Sequence, residues 1–233
     1  MADFSGSDLT CLRGERLVFG GLSFAARSGD AIVLRGRNGA GKSSLLRVMA
    51  GLLSPRAGQI CWDGENILED RIGHQARLQY LGHQDAVKPV LSVHDNLRLW
   101  GQMRGVDDLD GEIDAALDAL DIHHLSRVAG RYLSSGQKRR TALARILIGQ
   151  SDLWLLDEPT VGLDRESCGE VARLIAEFRA RGGIVIYSTH IDLDVDAPTV
   201  LDLDEFAIPM VEWLMEHPEM DGLAPSSAQE AAQ

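Results

Sequence analysis

Cysteine is scarce and scattered in this 233-residue chain, a bilayer-length apolar run is missing, and positive charge is outnumbered. Each shortage excludes something. Cys11, Cys61 and Cys168 lie far apart and form no CxxC pair, which argues against a disulfide framework or a zinc site. No apolar stretch approaches the roughly 18 residues that cross a bilayer as a helix. The start, Met1-Ala2-Asp3-Phe4-Ser5-Gly6-Ser7, has neither a basic opening nor an apolar signal segment, so a cytosolic chain is expected. Asp and Glu number 35 against 23 Lys and Arg, a net charge of −12. That balance repels a nucleic-acid backbone, and no nucleic-acid partner is expected, although Lys138-Arg139-Arg140 forms a local basic run. What remains is a chain of ordinary composition, 45% hydrophobic, long enough to bury a sizeable core in one α/β domain.

The most informative segment is Gly36-Arg37-Asn38-Gly39-Ala40-Gly41-Lys42-Ser43. Before it, Ala31-Ile32-Val33-Leu34 is apolar without alternation, as in a strand buried on both faces; after it, Ser44 to Ala50 reads as a helix ending at Gly51. Strand, glycine loop and helix in this order make a phosphate-binding loop. Glycines let the backbone close around phosphates and aim N–H groups at them, while the helix start adds its positive dipole end. Gly36, Asn38, Gly39, Ala40, Gly41, Lys42, Ser43 and Ser44 are the expected nucleotide contacts. Lys42 is suited to the β- and γ-phosphates, and the Ser43 hydroxyl to Mg²⁺.

Short antiparallel strands are expected near Leu9 to Arg13, Leu17 to Phe19 and Leu22 to Arg27, and further strands at Gln59 to Trp62 and Leu78 to Leu81. From Ser92 the spacing turns helical, with Val93, Leu97 and Trp100 on one face, then Ile113, Ala116, Leu117 and Leu120. Leu153 to Leu156 reads as a buried strand ending in Asp157. A helix through Val171, Leu174, Ile175 and Phe178 stops at Gly182-Gly183, and Ile184 to Ser188 is the next buried strand. Alternating buried strands and helices imply an α/β fold of the P-loop NTPase class. It would have a mostly parallel sheet, an N-terminal antiparallel β part and an inserted helical subdomain. Val211 to Met215 suggests a short amphipathic helix, and Ala224 to Gln233 a disordered end.

Asp157 and Glu158 follow the strand directly: the first could hold Mg²⁺, directly or through water, and the second could orient or deprotonate an attacking water. Leu133-Ser134-Ser135-Gly136-Gln137 precedes a helix carrying Ala142, Leu143, Ile146 and Leu147, and a helix start of this kind binds anions. Placed between the phosphate loop and Asp157-Glu158, it resembles the signature motif of ATP-binding cassette proteins. The resemblance extends from about Leu9 to Leu203.

Several roles follow from that resemblance. Gln84 matches the glutamine that senses Mg²⁺ and the γ-phosphate and touches the transmembrane partner. Val161-Gly162-Leu163-Asp164 matches the loop that communicates across the dimer, and His190 the switch histidine at the γ-phosphate. Two cassettes would pack head to tail, so that Ser135, Gly136 and Gln137 of one copy face the ATP held by the phosphate loop of the other. Glu158, His190, Lys42 and Gln84 become the catalytic set, and Ser43, Gln84 and Asp157 the metal set. Lys138, Arg139 and Arg140 would be solvated side chains on the signature helix. The resemblance also implies a single nucleotide-binding domain, with residues 1–83 and 149–205 as core, 84–148 as glutamine loop and helical subdomain, and 206–233 as an extension. Many cassettes stack adenine on a tyrosine about thirty residues before the loop lysine; here Arg13 falls there. A guanidinium can also stack on a base, or the base is held elsewhere.

Cys11 to Arg16, Gly21-Leu22-Ser23-Phe24, Tyr80 to Pro89, Asp95 to Trp100 and Leu133 to Arg145 are similar to the ATP-binding subunit of the bacterial cytochrome c maturation complex, the haem exporter family. That resemblance implies a peripheral subunit on the cytoplasmic face of the inner membrane, partnered by integral membrane subunits. It would drive haem delivery or release of a haem-loaded periplasmic chaperone. Asp85 to Leu91, stiffened by Pro89, is the expected contact with those partners. Another ABC transporter, or a soluble cassette scaffold for iron–sulfur cluster assembly, would share the catalytic motifs.

Overall fold

The structure, a computed structural model, describes residues 2–14 and 16–207. Strands β1 (Asp3–Arg13) and β2 (Arg16–Arg27) form a hairpin, joined on the other side of β1 by β4 (Ala57–Trp62) and then the short β5 (Glu65–Asn66). The three short strands expected at the N-terminus are thus two long ones. Register shifts between Gly6 and Leu9 and again near Cys11 accommodate the polar interruptions as bulges, and β2 runs on through Gly20-Gly21. The second sheet is parallel, in the order β6 (Leu78–Leu81), β7 (Leu153–Asp157), β8 (Ile184–Ser188), β3 (Ala31–Arg35), β9 (Thr199–Asp202). The α/β expectation holds.

Why these segments form a central sheet is visible in their burial. All five residues of β7 and all five of β8 are buried, so both faces must be covered. Alternate side chains of β7 enter different cores. Leu153 and Leu155 join Leu45, Leu46 and Met49 of α1 (Lys42–Met49) and Phe4, Phe19 and Leu22 of the antiparallel sheet. Trp154 and Leu156 point the other way, to a core built with α3 (Val93–Met103), α4 (Leu109–Ala119), α5 (Ser135–Leu147) and α6 (Arg165–Ala180). Trp154 stacks on Phe178 of α6 with ring centroids 4.0 Å apart. A short α2 (Arg71–Ala76) precedes β6.

Helix starts follow the expected chemistry. Ser92, Asp108 and Asp164 each accept an N–H from the third residue on, which fixes where α3, α4 and α6 begin. Strands β6, β7, β8 and β3 run parallel, so their C-terminal ends share one edge of the sheet. His83-Gln84, Glu158, His190 and the glycine loop leave from that edge. The helix and the disordered end expected beyond residue 207 lie outside the described residues.

Candidate nucleotide site

The glycine loop joins β3 to α1. Gly41 is the residue before the helix, at φ 108°, a conformation open to glycine. A Cβ there would lie 2.6 Å from the Val18 side chain, so the close approach of loop to β2 also requires glycine. The first turn of α1 carries no side-chain cap. The N–H groups of Lys42, Ser43 and Ser44 therefore remain available for an anion, aided by the helix dipole. Lys42 Nζ donates to the carbonyls of Gly36 (2.6 Å) and Arg37 (3.3 Å), its charge solvated by the loop itself.

Asp157 and Glu158 are placed by β7 and its neighbour. Asp157 pairs in register with Ser188 of β8, whose hydroxyl donates to Asp157 Oδ1 (2.8 Å) and accepts the Glu158 N–H (2.9 Å). The other carboxylate oxygen, Asp157 Oδ2, is buried and has no hydrogen-bond partner. An orphaned buried carboxylate oxygen is costly unless a cation or donor meets it, so Asp157 fits a Mg²⁺ site. Glu158 sits at φ 53°, and its side chain, 12% exposed, lies 3.0 Å from His190 Nε2. That spacing suits Nε2–H donating to the carboxylate, in the neutral tautomer or the imidazolium.

A cleft of about 640 Å³ connects the glycine loop with Glu158 and His190, while Asp157, buried at the end of β7, does not line it. It is lined by Asn38, Gly39, Gly41, Lys42, Ser43, Ser44, Glu158, His190, Val18, Val161, His83, Arg13 and Arg16. Arg13 lines the cleft, and so does Arg16, which no motif marked and which is its register partner across the β1–β2 hairpin. Two like charges directly opposite are unfavourable, and an anion or π-face between them relieves the cost. Gln84 does not line the cleft; it is exposed on the loop after β6, while its neighbour His83 faces in. A larger groove, about 1040 Å³, lies away from these groups, between β6 and the helical insertion. Exposed Leu52, Ile72 and Met103 line it.

Ser135, Gly136 and Gln137 also lie outside the cleft. Ser134 caps the Gln137 N–H, and the Gln137 side-chain oxygen accepts the Ser134 N–H, so the Gln137 side chain is committed to its own helix start. The N–H groups of Ser135 and Gly136, in the first turn of α5, have no partner within the helix; Ser135 is exposed, and a Cβ at Gly136 would lie 2.9 Å from the Gly162 carbonyl. Asp164 ties this region to α6: Ser167 donates to its carboxylate twice, holding its pKa low, and Arg140 reaches the same pair. The phosphate cradle and the exposed helix start therefore lie in different places on the chain.

A match to the ABC transporter family covers residues 19–161, from β2 through the glycine loop and α5 to the turn after Glu158. The chain belongs to the ABC transporter family. The cytochrome c biogenesis ATP-binding export protein CcmA of Paramagnetospirillum magneticum is 50% identical over 88% of this chain and 95% of its own length. The protein of the same name from Rhodospirillum rubrum is 48% identical over 88% of each. Among solved structures, an ABC transporter ATP-binding protein from Pyrococcus furiosus superposes with a TM-score of 0.78 at 26% identity, covering 88% of this chain and 100% of that one. The cbiO1 subunit from Clostridium perfringens, part of the ABC transporter complex cbiONQ, does so at 0.70 and 25% identity, over 82% and 80%. Family membership makes the chain an ABC-type ATPase subunit.

One expectation about this ABC chain is corrected. Arg139 is not a solvated member of the basic run but is 3% exposed, while Lys138 and Arg140 remain half-buried. Helical spacing puts Arg139 on the face of Ala142, Leu143 and Ile146, a signal present in the sequence.

Proposed function

We propose that this chain is the ATP-hydrolysing subunit of a membrane complex for cytochrome c maturation, acting as a head-to-tail dimer on the cytoplasmic face of the bacterial inner membrane. Its substrate is ATP with Mg²⁺, and its work is haem delivery or release of a haem-loaded chaperone. The observation that carries the biological reading is 43–50% identity to cytochrome c biogenesis ATP-binding export proteins across most of the chain. The site supports the chemistry. Lys42 exchanges its loop carbonyls for the β- and γ-phosphates, and the free N–H groups of α1 receive the phosphate oxygens. Asp157 Oδ2 and Ser43 would hold Mg²⁺, which would neutralise charge building on the phosphates during transfer; Gln84, outside the cleft here, would join them once its loop moves inward. Glu158 accepts the proton of the attacking water, and His190 holds Glu158 and reaches the γ-phosphate.

Binding and hydrolysis alternate two dimer states of different affinity, and that difference moves the membrane subunits. The surface available to them has two parts. One is the segment Asp85 to Leu91, which the Asn96 side chain pins through Lys88 and Leu91, leaving Val90 77% exposed. The other is the apolar-edged groove nearby. Among the described residues no helix is long and apolar enough to cross a membrane, consistent with a peripheral subunit.

The test is replacement of the host copy in cells that make c-type cytochromes. This chain is expected to restore holo-cytochrome c and to co-purify with the membrane subunits of that complex. Restored ATPase activity without cytochrome c, alongside a different set of membrane subunits or none, would assign it to another transporter or to a cytosolic scaffold.

Base recognition by Arg13 and Arg16 makes a separate prediction. Arg13→Ala should weaken ATP binding about fivefold, and the double Arg13→Ala/Arg16→Ala variant further, on the order of one cation–π contact each. Equilibrium titration with a fluorescent ATP analogue and unlabelled competitor measures this. Unchanged affinity in the double variant would place the base elsewhere.

A further inference from the structure

A buried guanidinium is costly unless every N–H finds an acceptor, and Arg139 meets that demand. Its Nε donates to the Pro159 carbonyl (3.2 Å). Nη1 donates to the Gly82 carbonyl (3.1 Å) and Asp85 Oδ1 (2.9 Å), and Nη2 to the Asp157 and Glu158 carbonyls (both 2.6 Å). Three consecutive carbonyls centred on Glu158 are therefore held by one side chain. Their geometry needs holding, because Glu158 occupies the left-handed region, which a non-glycine residue keeps only when its surroundings over-determine it. Ser188 fixes the N–H side of the same residue, and Arg139 fixes the carbonyl side.

The opposite edge of the guanidinium grips Gly82 and Asp85, the residues that bracket His83 and Gln84. Arg139 itself stands one turn into α5, the helix whose exposed start carries Ser135 and Gly136. We propose that Arg139 is a positioning residue that fixes the Glu158 turn for hydrolysis and couples it rigidly to the loop carrying Gln84. A displacement of that loop, or a rotation of α5, then changes the aim of the Glu158 carboxylate with no contact between Arg139 and nucleotide. Lysine cannot substitute, since three donors on one atom cannot span acceptors on both sides. This inference rests on Glu158 as the base.

Steady-state hydrolysis, ATP affinity and thermal melting of the full chain carrying Arg139→Lys, Asp85→Asn, both together, or Glu158→Gln test it. Arg139→Lys is expected to lower kcat about thirtyfold and Asp85→Asn about fivefold, with KM and ATP affinity within about twofold, the pattern of a misplaced catalytic group. The double variant should fall no further than Arg139→Lys, because both break one linkage. A purely structural role would instead lower melting temperature and affinity together and leave the two effects additive. Should Arg139→Lys fail to fold, Asp85→Asn decides alone. Unchanged kcat in Asp85→Asn, or in a folded Arg139→Lys, while Glu158→Gln abolishes turnover, overturns the coupling and leaves the base in place. Turnover that survives Glu158→Gln removes the base, and the positioning role with it.

Discussion

Glu158→Gln should cut ATP turnover about a thousandfold and leave ATP affinity within about twofold, the span expected when a general base alone is removed. The substitution is close to isosteric. Glutamine can keep the left-handed backbone, the N–H bond to Ser188 and an oxygen for His190 Nε2, so the site should retain its shape. What it loses is the capacity to take a proton from water. Because nucleotide would still bind and the dimer still close, the closed state should accumulate in the presence of ATP. In cells the same variant should keep its membrane partners but make no mature cytochrome c. Hydrolysis assays on the purified chain, with size-exclusion chromatography in ATP, provide the readout. Turnover within tenfold of wild type would leave the attacking water to another group, such as His190, 3.0 Å from Glu158.

How far the sequence alone reached depends on how each feature is encoded. The strand Leu153–Asp157 was legible because an unbroken apolar run followed by an acid has one economical burial, between two cores. Strand β9 was not, since Thr199–Asp202 lies at the sheet's edge and is only partly buried, so no periodicity marks it. The hairpin hid its length in bulges, where pairing with neighbours overrides glycine and polar breaks that look like ends. Within the site, Lys42 and Asp157 are local signals. The approach of His190 to Glu158 links residues 32 positions apart, and only the order of motifs along the chain anticipated it. Arg16, His83 and Ser188 gave no signal of their own, because each owes its place to a strand end or a register. Arg139 shows the reverse: its helical face was readable, but the neighbouring Lys138 and Arg140 disguised it as one charged run.

The proposed head-to-tail dimer yields the other large effect. Within one chain the cleft contains the phosphate loop but neither Ser135 nor Gly136, which stand at the start of α5. If a second copy supplies that helix start, Ser135→Arg should abolish turnover by blocking closure while leaving ATP binding to the monomer intact. Lys42→Ala should abolish it from the other side, by weakening the hold on the β- and γ-phosphates. Mixing the two inactive variants then restores activity. In a mixed dimer both lesions fall in the same composite site, and the other site combines an intact phosphate loop with an intact helix start. Random pairing of equal amounts makes half the dimers mixed, each with one working site, so recovery should approach about a quarter of wild type if the sites act independently. A ceiling near zero with mixed dimers demonstrably formed would mean that both sites must fire together. Retained activity in Ser135→Arg alone would remove the head-to-tail arrangement, because a bulky cation at that helix start could not then be facing a nucleotide across an interface.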